Sequence, residues 1–236
     1  MIRLVALIGK KGSVFKATLN IVRELGLPIE LLAAVTCRDA LTPSHQLPTE
    51  AIQRWHYGNR QRFFSQLDQF LASYSPAPVL FSWFDKLVPS WFLNKHAMVN
   101  QHPSLLPAFP GMDAWQQALT KGVLVTGTTI HIIDEGVDTG PILLQHGMSL
   151  QPNRDLIEQR HRLFLLQVFQ AVTFFYLLTQ IEPNGTGTPI PTFPFETMNA
   201  FEDTNAIVAF FRGQPIVNHS TLKPWIQHVT RRNRPS

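Results

Sequence analysis

Hydrophobic runs alternate with helical patterns at the start of this chain. Ile2–Ile8 is an unbroken apolar run that ends at Gly9, and Ile29–Thr36 is a second one. Between them, Phe15–Leu25 carries apolar side chains at helical spacing and stops at Gly26. Continuous apolar strands separated by a helix are typical of a parallel sheet that is buried on both faces. The pattern therefore predicts a β–α–β opening and a doubly wound α/β fold.

The same alternation continues as far as residue 102. A polar stretch with two prolines, residues 38–59, predicts a loop with a short helix. Two helical patterns and two apolar runs follow in turn, and they predict elements over residues 60–74, 78–83, 89–95 and 98–102. The sheet is therefore expected to gain two further parallel strands.

The second half of the chain has a different pattern. Residues 113–121 predict a helix, and residues 126–133 and 141–150 are two strand-like segments joined by a loop over 134–140. Two strands joined so closely predict an antiparallel addition to the mainly parallel, twisted sheet. A long helical pattern then reaches about residue 180.

The composition shifts after Glu182. Residues 183–194 hold six prolines and glycines, which is typical of a linker, and a final short helical pattern lies near residues 204–212. We therefore predict a main domain over residues 1–182 and a Pro/Gly-rich extension with a short helix over residues 183–236.

The bulk composition describes a folded globular protein. Of its 236 residues, 44% are hydrophobic and 15% are charged, and the formal net charge is +4. A surplus this small suits anionic small molecules and gives no argument for nucleic-acid binding. The apolar stretch Leu163–Leu178 is interrupted by polar residues, so we expect it to fall short of a membrane span.

A single cysteine, Cys37, excludes an internal disulfide and a multi-cysteine metal site. Its solitary occurrence favours a reducing compartment, and the first residues lack the layout of a signal peptide. We therefore expect a cytoplasmic protein, a monomer or a homodimer, that acts on small molecules and not on nucleic acid or a membrane.

Three polar residues suit the transfer of an acyl group to an amine. Asn100 and His102 are two residues apart at the end of a predicted strand, so they share one face of it. Asp138 follows within the predicted loop. Acyl transfer passes through a tetrahedral intermediate, which needs an oxyanion donor, a proton shuttle and an anion that orients the shuttle. An amide, an imidazole and a carboxylate supply these functions.

Two segments resemble the signatures of folate-dependent formyltransferases. They are Val99–Gly111, which reads VNQHPSLLPAFPG, and Gly127–Gln145, which contains GVDTGP. The nearest branch by resemblance is phosphoribosylglycinamide formyltransferase of purine synthesis, because the FPG ending is similar to that branch. The resemblance implies a Rossmann-like formyltransferase fold, 10-formyltetrahydrofolate as formyl donor and no metal.

The resemblance also implies roles for individual residues. Asn100 and His102 would hold the oxyanion, and Asp138 would order His102 and a water that relays protons. His131 is implied to be a structural neighbour without a catalytic role, and the Leu106–Pro107 bond is implied to be cis. The residues implied to bind the folate are Phe84, Asp85, Lys86, Leu87, Val88, Thr139 and Gly140.

The first strand–helix turn predicts an anion site. Backbone N–H groups at a helix N-terminus, with lysines beside them, form a cradle for a phosphate. The residues assigned to this phosphate or acceptor site are Gly9, Lys10, Lys11, Gly12 and Ser13.

The chain departs from the purine branch at three places. Val14 stands where that branch has Asn, and Asp85 precedes Lys86 where it has a Met-Arg pair. On the long helix, Leu165 aligns with a Glu that grips the acceptor. The departure at Val14 concerns the identity of the acceptor, and the departure at Leu165 indicates a shifted register, a different acceptor or lost activity.

The sequence therefore predicts formyl transfer from 10-formyltetrahydrofolate to a primary amine, with glycinamide ribonucleotide as the best single acceptor. Three alternatives stay open: another amine such as a nucleotide-linked amino sugar, hydrolysis of formyltetrahydrofolate, and a non-catalytic folate- or nucleotide-binding homologue.

Overall fold

A computed structural model describes residues 1–9, 12–36, 51–55, 59–151, 154–180 and 203–213. These residues form seven strands and six helices. The strands are β1 (Ile2–Ile8), β2 (Ile29–Thr36), β3 (Ile52–Arg54), β4 (Val79–Trp83), β5 (Met98–His102), β6 (Val125–Ile132) and β7 (Ile142–Ser149). The helices are α1 (Ser13–Glu24), α2 (Arg60–Leu71), α3 (Ser90–Leu93), α4 (Ala114–Thr120), α5 (Leu156–Gln180) and α6 (Thr204–Gly213).

The strands form one sheet in the order β3-β2-β1-β4-β5-β6-β7. The first five of these are parallel, and β6 and β7 are added antiparallel to β5. The prediction of a doubly wound, mainly parallel sheet with an antiparallel addition is confirmed. The order reverses between β1 and β4, which is where open α/β sheets place their ligand sites.

One strand was missed. Residues 38–59 were predicted to be a loop with a short helix, but Ile52–Arg54 pairs in parallel with β2. A three-residue edge strand is too short to produce an apolar run, so its pattern could not be recognised. Most of the rest of that prediction falls on residues 38–50 and 56–58, which lie outside the described residues.

Helices cover the two faces of the sheet. On one face, Phe81 and Val99 pack against Phe174 and Phe175 of α5. On the other face, the preceding strand residues Leu80 and Met98 belong to a buried cluster with side chains of α2 and α3. Successive side chains of a strand point to opposite faces, so the continuous apolar runs follow from burial on both sides.

Helix α5 extends beyond both ends of the apolar stretch Leu163–Leu178. The Asp155 carboxylate caps it by accepting a hydrogen bond from the Ile157 amide at 3.0 Å. By length and composition it is, among the described residues, the one helix able to cross a membrane. Of its most apolar window, 72% is buried within the protein, against α1, β6 and β7. It therefore has the surroundings of a core helix.

A buried polar network joins α5 to the strands beneath the end of β5. The Gln170 side chain donates to the carbonyls of Thr128 and Leu144, at 2.9 and 3.1 Å. It accepts from the Thr128 hydroxyl at 2.9 Å and from the Gln101 amide at 3.1 Å. The Thr128 hydroxyl also lies 3.1 Å from the carbonyl oxygen of His102. The network therefore fixes the backbone at the end of β5.

The predicted extension is described only at α6. This helix covers residues 204–213, close to the predicted 204–212. Its Ile207 and Val208 pack with Ile21 of α1 and Val172 of α5. The predicted division at residue 182 stays a prediction.

Candidate active site

A cleft of about 1230 Å³ opens over the carboxyl ends of the central strands. Asn100 and His102 line it from β5, and Asp138 lines it from the loop between β6 and β7. Alternation along β5 places Asn100 and His102 on one face, as predicted, while Gln101 points to the other face. The topology therefore brings all three predicted catalytic residues to one cavity.

Asp138 and His102 are in direct contact. The Asp138 Oδ2 atom lies 3.1 Å from the His102 Nδ1 atom. The same oxygen accepts a hydrogen bond from the Gly111 amide at 2.8 Å. The other carboxylate oxygen, Oδ1, lies 3.5 Å from the His131 Nε2 atom. One carboxylate thus fixes His102 from the loop and reaches a second histidine.

His131 belongs to this group, although the resemblance implied no catalytic role for it. It pairs with Asn100 across β5 and β6, and its Nε2 atom lies 3.3 Å from the Asn100 Nδ2 atom. Its Nδ1 atom lies 2.9 Å from the Ile132 carbonyl oxygen, an acceptor, so Nδ1 carries a proton. The Asn100 amide points its NH₂ group toward His131.

The proximity of His131 to Asn100 could be inferred in part from the sequence. Two strands that pair antiparallel place facing residues on the same side, so a polar residue on β6 opposite Asn100 must share its surroundings. The register of β5 and β6, which makes these two residues face each other, is not revealed by the pattern.

The loop that holds Asp138 has a tightly defined backbone. Asp138 has a φ of 55°, a left-handed conformation that Asp tolerates better than most residues. The Thr139 hydroxyl donates to the Asp134 carboxylate at 2.8 Å, which ties the loop across itself. A Cβ atom on Gly140 would lie 1.9 Å from the Ile132 carbonyl oxygen, so this position requires glycine.

The Asp138 carboxylate is ionised near neutral pH. Burial on its own would raise the pKa of Asp138, since it penalises the charged form. The contacts with His131, His102 and the Gly111 amide outweigh burial and hold the pKa of Asp138 below its usual range. The carboxylate is therefore a fixed anion at the base of the cleft.

Two features of the surroundings of His102 act in opposite directions on its protonation. Its Nε2 atom lies 2.8 Å from the Phe109 carbonyl oxygen, so both ring nitrogens face acceptors. Only the protonated ring satisfies both acceptors, whereas burial, with 5% of the residue exposed, favours the neutral ring.

Burial and the Asp138 charge act in opposite directions on the pKa of His102. The Asp138 anion raises it. Burial instead lowers the pKa of His102 below its ordinary value, and the opposing effects of Asp138 and of the Phe109 carbonyl are smaller. A neutral imidazole beside two acceptors is ready to take up a proton.

Comparison with known proteins identifies the family. Residues 2–167 match the family model described as formyl transferase. The chain belongs to the formyl transferase family.

Individual relatives agree with this assignment. The chain is 36% identical over 157 residues to the human trifunctional purine biosynthetic protein adenosine-3, covering 63% of this chain and 15% of that one. It is 37% identical over 122 residues to phosphoribosylglycinamide formyltransferase of Bacillus subtilis, covering 50% of this chain and 63% of the relative. The chain therefore spans less than two thirds of these relatives' lengths. The crystal structure of glycinamide ribonucleotide transformylase 1 from Geobacillus kaustophilus superposes with a TM-score of 0.67 at 27% identity, covering 76% of this chain and 99% of that one.

The residues assigned to folate divide into two groups in this formyl transferase fold. Those that follow β4 line the cleft: Phe84, Asp85, Lys86, Leu87 and Val88. Thr139 and Gly140 are not among the cleft-lining residues, because the Thr139 hydroxyl binds Asp134 and Gly140 packs on the Ile132 carbonyl. Their role in folate binding stays a prediction, and their contacts shape the loop that carries Asp138.

The residues assigned to a phosphate also divide. Gly12 and Ser13 line the cleft at the N-terminus of α1, together with Val14. Gly9 is not among the lining residues; its Cα lies against the backbone of Asp85, where a Cβ would approach the Asp85 nitrogen to 2.9 Å. Lys10 and Lys11 lie outside the described residues.

The expected acceptor position on α5 was misplaced. Leu165 is buried among Ile21, Val168 and Val172, away from the cleft. The α5 residues that line the cleft are Arg160, Leu163, Phe164 and Gln167. An alignment by residue type alone cannot fix helical phase, and a shift of two residues turns the side chain by about 200°. The Leu106–Pro107 bond is cis, as the sequence analysis predicted.

Proposed function

We propose that this protein transfers a formyl group from 10-formyltetrahydrofolate to a primary amine, with glycinamide ribonucleotide as the first acceptor to test. The observation that carries this proposal is the contact of His102 with Asp138, 3.1 Å apart, beside Asn100 in one large cleft. The names of the relatives support the choice of acceptor, and the resemblance to folate-dependent formyltransferases supports the choice of donor.

In the proposed reaction, the amine nitrogen attacks the formyl carbon. A carbon–nitrogen bond forms to the acceptor, and the bond between the formyl carbon and the folate nitrogen breaks. The acceptor nitrogen loses a proton and the folate nitrogen gains one, so the products are an N-formyl amide and tetrahydrofolate. In the tetrahedral intermediate, after the new carbon–nitrogen bond forms and before the old one breaks, the former formyl oxygen carries negative charge.

Asn100 is suited to hold this oxyanion. One of its two N–H groups is directed to His131 Nε2, at 3.3 Å, which leaves the second for a ligand in the cleft. His131 also keeps the amide from turning its carbonyl oxygen toward the oxyanion. The loss of one preorganised donor costs on the order of 10²-fold to 10³-fold in rate.

His102 and Asp138 are suited to move the proton. Because burial keeps His102 neutral, it can accept a proton from the attacking amine or stabilise the oxyanion after taking one up. The Asp138 anion then stabilises the imidazolium. The carboxylate is partly open to the cleft, with 15% of its side chain exposed, so it also suits the ordering of a water that relays protons, as the resemblance implies.

The donor and acceptor are proposed to occupy different parts of the cleft. Phe84–Val88 and Asp134–Val137 line the cleft, and their backbone groups suit the pterin. Gly12 and Ser13 also line it, and the amides at the start of α1 suit a phosphate.

The test is a turnover assay with formylated folate. The protein is incubated with 10-formyltetrahydrofolate and a panel of amines, including glycinamide ribonucleotide and nucleotide-linked amino sugars, and the release of tetrahydrofolate is followed. Turnover that requires glycinamide ribonucleotide supports the proposal. Turnover with only another amine replaces the acceptor, turnover without any amine indicates a hydrolase, and no turnover with folate binding indicates a non-catalytic homologue.

We further infer a cytoplasmic enzyme that acts as a monomer or a homodimer on small molecules. The modest net charge of +4 and the single cysteine support this inference. Cell fractionation and light scattering of the purified protein test the two parts separately.

A further inference from the structure

Trp83 has an unusual position at the end of β4. Trp83 lines the cleft and is half-buried, and it packs against two almost fully buried rings, Phe81 and Phe15, of which Phe15 also lines the cleft. The ring centroids lie 5.5 Å from Phe15 and 4.2 Å from Phe81. Phe15 belongs to the first turn of α1, shortly after Gly12 and Ser13. The indole therefore stands beside the end of the cleft assigned to the acceptor.

The indole is held rigidly. Its Nε1–H donates to the Gln101 side-chain oxygen at 2.7 Å. The Gln101 amide nitrogen in turn donates to the Gln167 carbonyl at 2.8 Å and to the Gln170 side chain at 3.1 Å. The only polar group of the indole is thus used within the protein, and what remains for a ligand is an apolar, flat surface.

We propose that Trp83 is a specificity-determining residue for the acceptor, forming a fixed wall against which a ring of the acceptor packs. This inference rests on the proposed function. The acceptor class that fits is a primary amine carried on a ring, such as a sugar, with an anionic group for the α1 amides. Arg160, which lines the same cleft, adds positive charge for that anion.

Rigidity is what makes the wall selective. An immobilised aromatic ring loses little conformational entropy when a ligand packs on it, so the apolar contact contributes to affinity almost undiminished. Contact with about 50 Å² of apolar surface, at about 25 cal/mol per Å², corresponds to roughly a 10-fold change in binding. An amine without a ring, such as glycinamide itself, gains nothing from Trp83.

The chain provides a matched control. The Trp91 indole donates to the Gln61 side-chain oxygen at 2.7 Å, the same distance as in the Trp83–Gln101 pair. Trp91 is not among the cleft-lining residues. Replacing each indole by phenylalanine removes one such bond, and only one of the two substitutions alters the cleft.

The experiment compares Trp83→Ala, Trp83→Phe and Trp91→Phe. Acceptor and donor KM are measured separately, with the acceptor that gives the fastest turnover in the wild type. Trp83→Ala is expected to raise the acceptor KM about 10-fold and to leave the donor KM and kcat within about 3-fold. Trp83→Phe is expected to lie between Trp83→Ala and the wild type. Trp91→Phe is expected to match the wild type.

A binding measurement separates this inference from the proposed function. Glycinamide ribonucleotide is titrated into each protein while tryptophan fluorescence is recorded, which requires no turnover. A saturable change that Trp83→Phe abolishes and Trp91→Phe retains supports the inference. An acceptor KM and a fluorescence response unchanged in the Trp83 variants overturn it, even if the wild type transfers formyl groups. Absence of turnover in the wild type with every amine overturns the proposed function instead.

Discussion

Substitution of Asp138 by asparagine probes the electrostatics of the site with almost no change in size. The carboxylate contacts His102 Nδ1 at 3.1 Å and accepts from the Gly111 amide at 2.8 Å. The side-chain oxygen of the asparagine can still accept from Gly111, so the loop is expected to keep its shape. What is lost is the negative charge that stabilises a protonated His102.

The magnitude follows from the role of that charge. A positioned proton-transfer group contributes on the order of 10²-fold to 10⁴-fold in rate, which is about 2.7 to 5.5 kcal/mol of barrier. We expect Asp138→Asn to lower kcat by this factor. Because the Asp138 charge raises the pKa of His102, the variant is expected to shift the acid limb of any remaining activity to lower pH.

The assay is tetrahydrofolate release as a function of pH, and the control is Asp68→Asn. Asp68 contacts His96 Nε2 at 2.7 Å and Lys95 at 2.8 Å, so it forms a comparable Asp–His pair outside the cleft. The control is expected to keep its kcat. An Asp138→Asn variant with the kcat and pH profile of the wild type would refute the role assigned to this carboxylate.

Three further predictions concern the pH profile, the loop and the buried network. Because burial lowers the pKa of His102, kcat/KM is expected to fall on the acid side only below about pH 6.5. If kcat/KM instead falls to half of its maximum above that pH, the buried ring is not neutral as inferred. Gly140→Ala places a Cβ 1.9 Å from the Ile132 carbonyl oxygen, so we expect a lower Tm and a reduced kcat. The control is Gly122→Ala. Gly122 has a positive φ and a Cβ there meets no atom within 4 Å, so this variant should lower Tm only through backbone strain. Gln170→Leu removes four hydrogen bonds in a fully buried network and is expected to lower the free energy of unfolding by about 2 to 4 kcal/mol in a urea titration, and a loss below about 0.5 kcal/mol would show that the network is not stabilising.

The sequence pattern predicted the elements that carry the site. The strand over residues 98–102 and its alternation place Asn100 and His102 on one face, and this was recognisable because a buried strand has period two. The parallel order of the central strands followed from the β–α–β opening. Local patterns were sufficient wherever an element is long and buried on both sides.

Other features depend on contacts between distant segments. The pairing of His131 with Asn100 depends on the register of β5 and β6, and the exclusion of Leu165 from the cleft depends on the rotation of α5 about its axis. The lowered pKa of His102 depends on burial that no local pattern reveals. The same holds for Trp83, whose neighbours Phe15 and Gln101 come from different elements.

The most direct test of the central claim is the activity of His102→Ala beside that of His96→Ala. His96 is a partly buried histidine paired with Asp68 outside the cleft, so it controls for the loss of an imidazole. We expect His102→Ala to lose at least about 100-fold in kcat, with folate binding and Tm near those of the wild type, while His96→Ala stays active. A folded His102→Ala protein that transfers formyl groups at the wild-type rate would contradict the proposed mechanism.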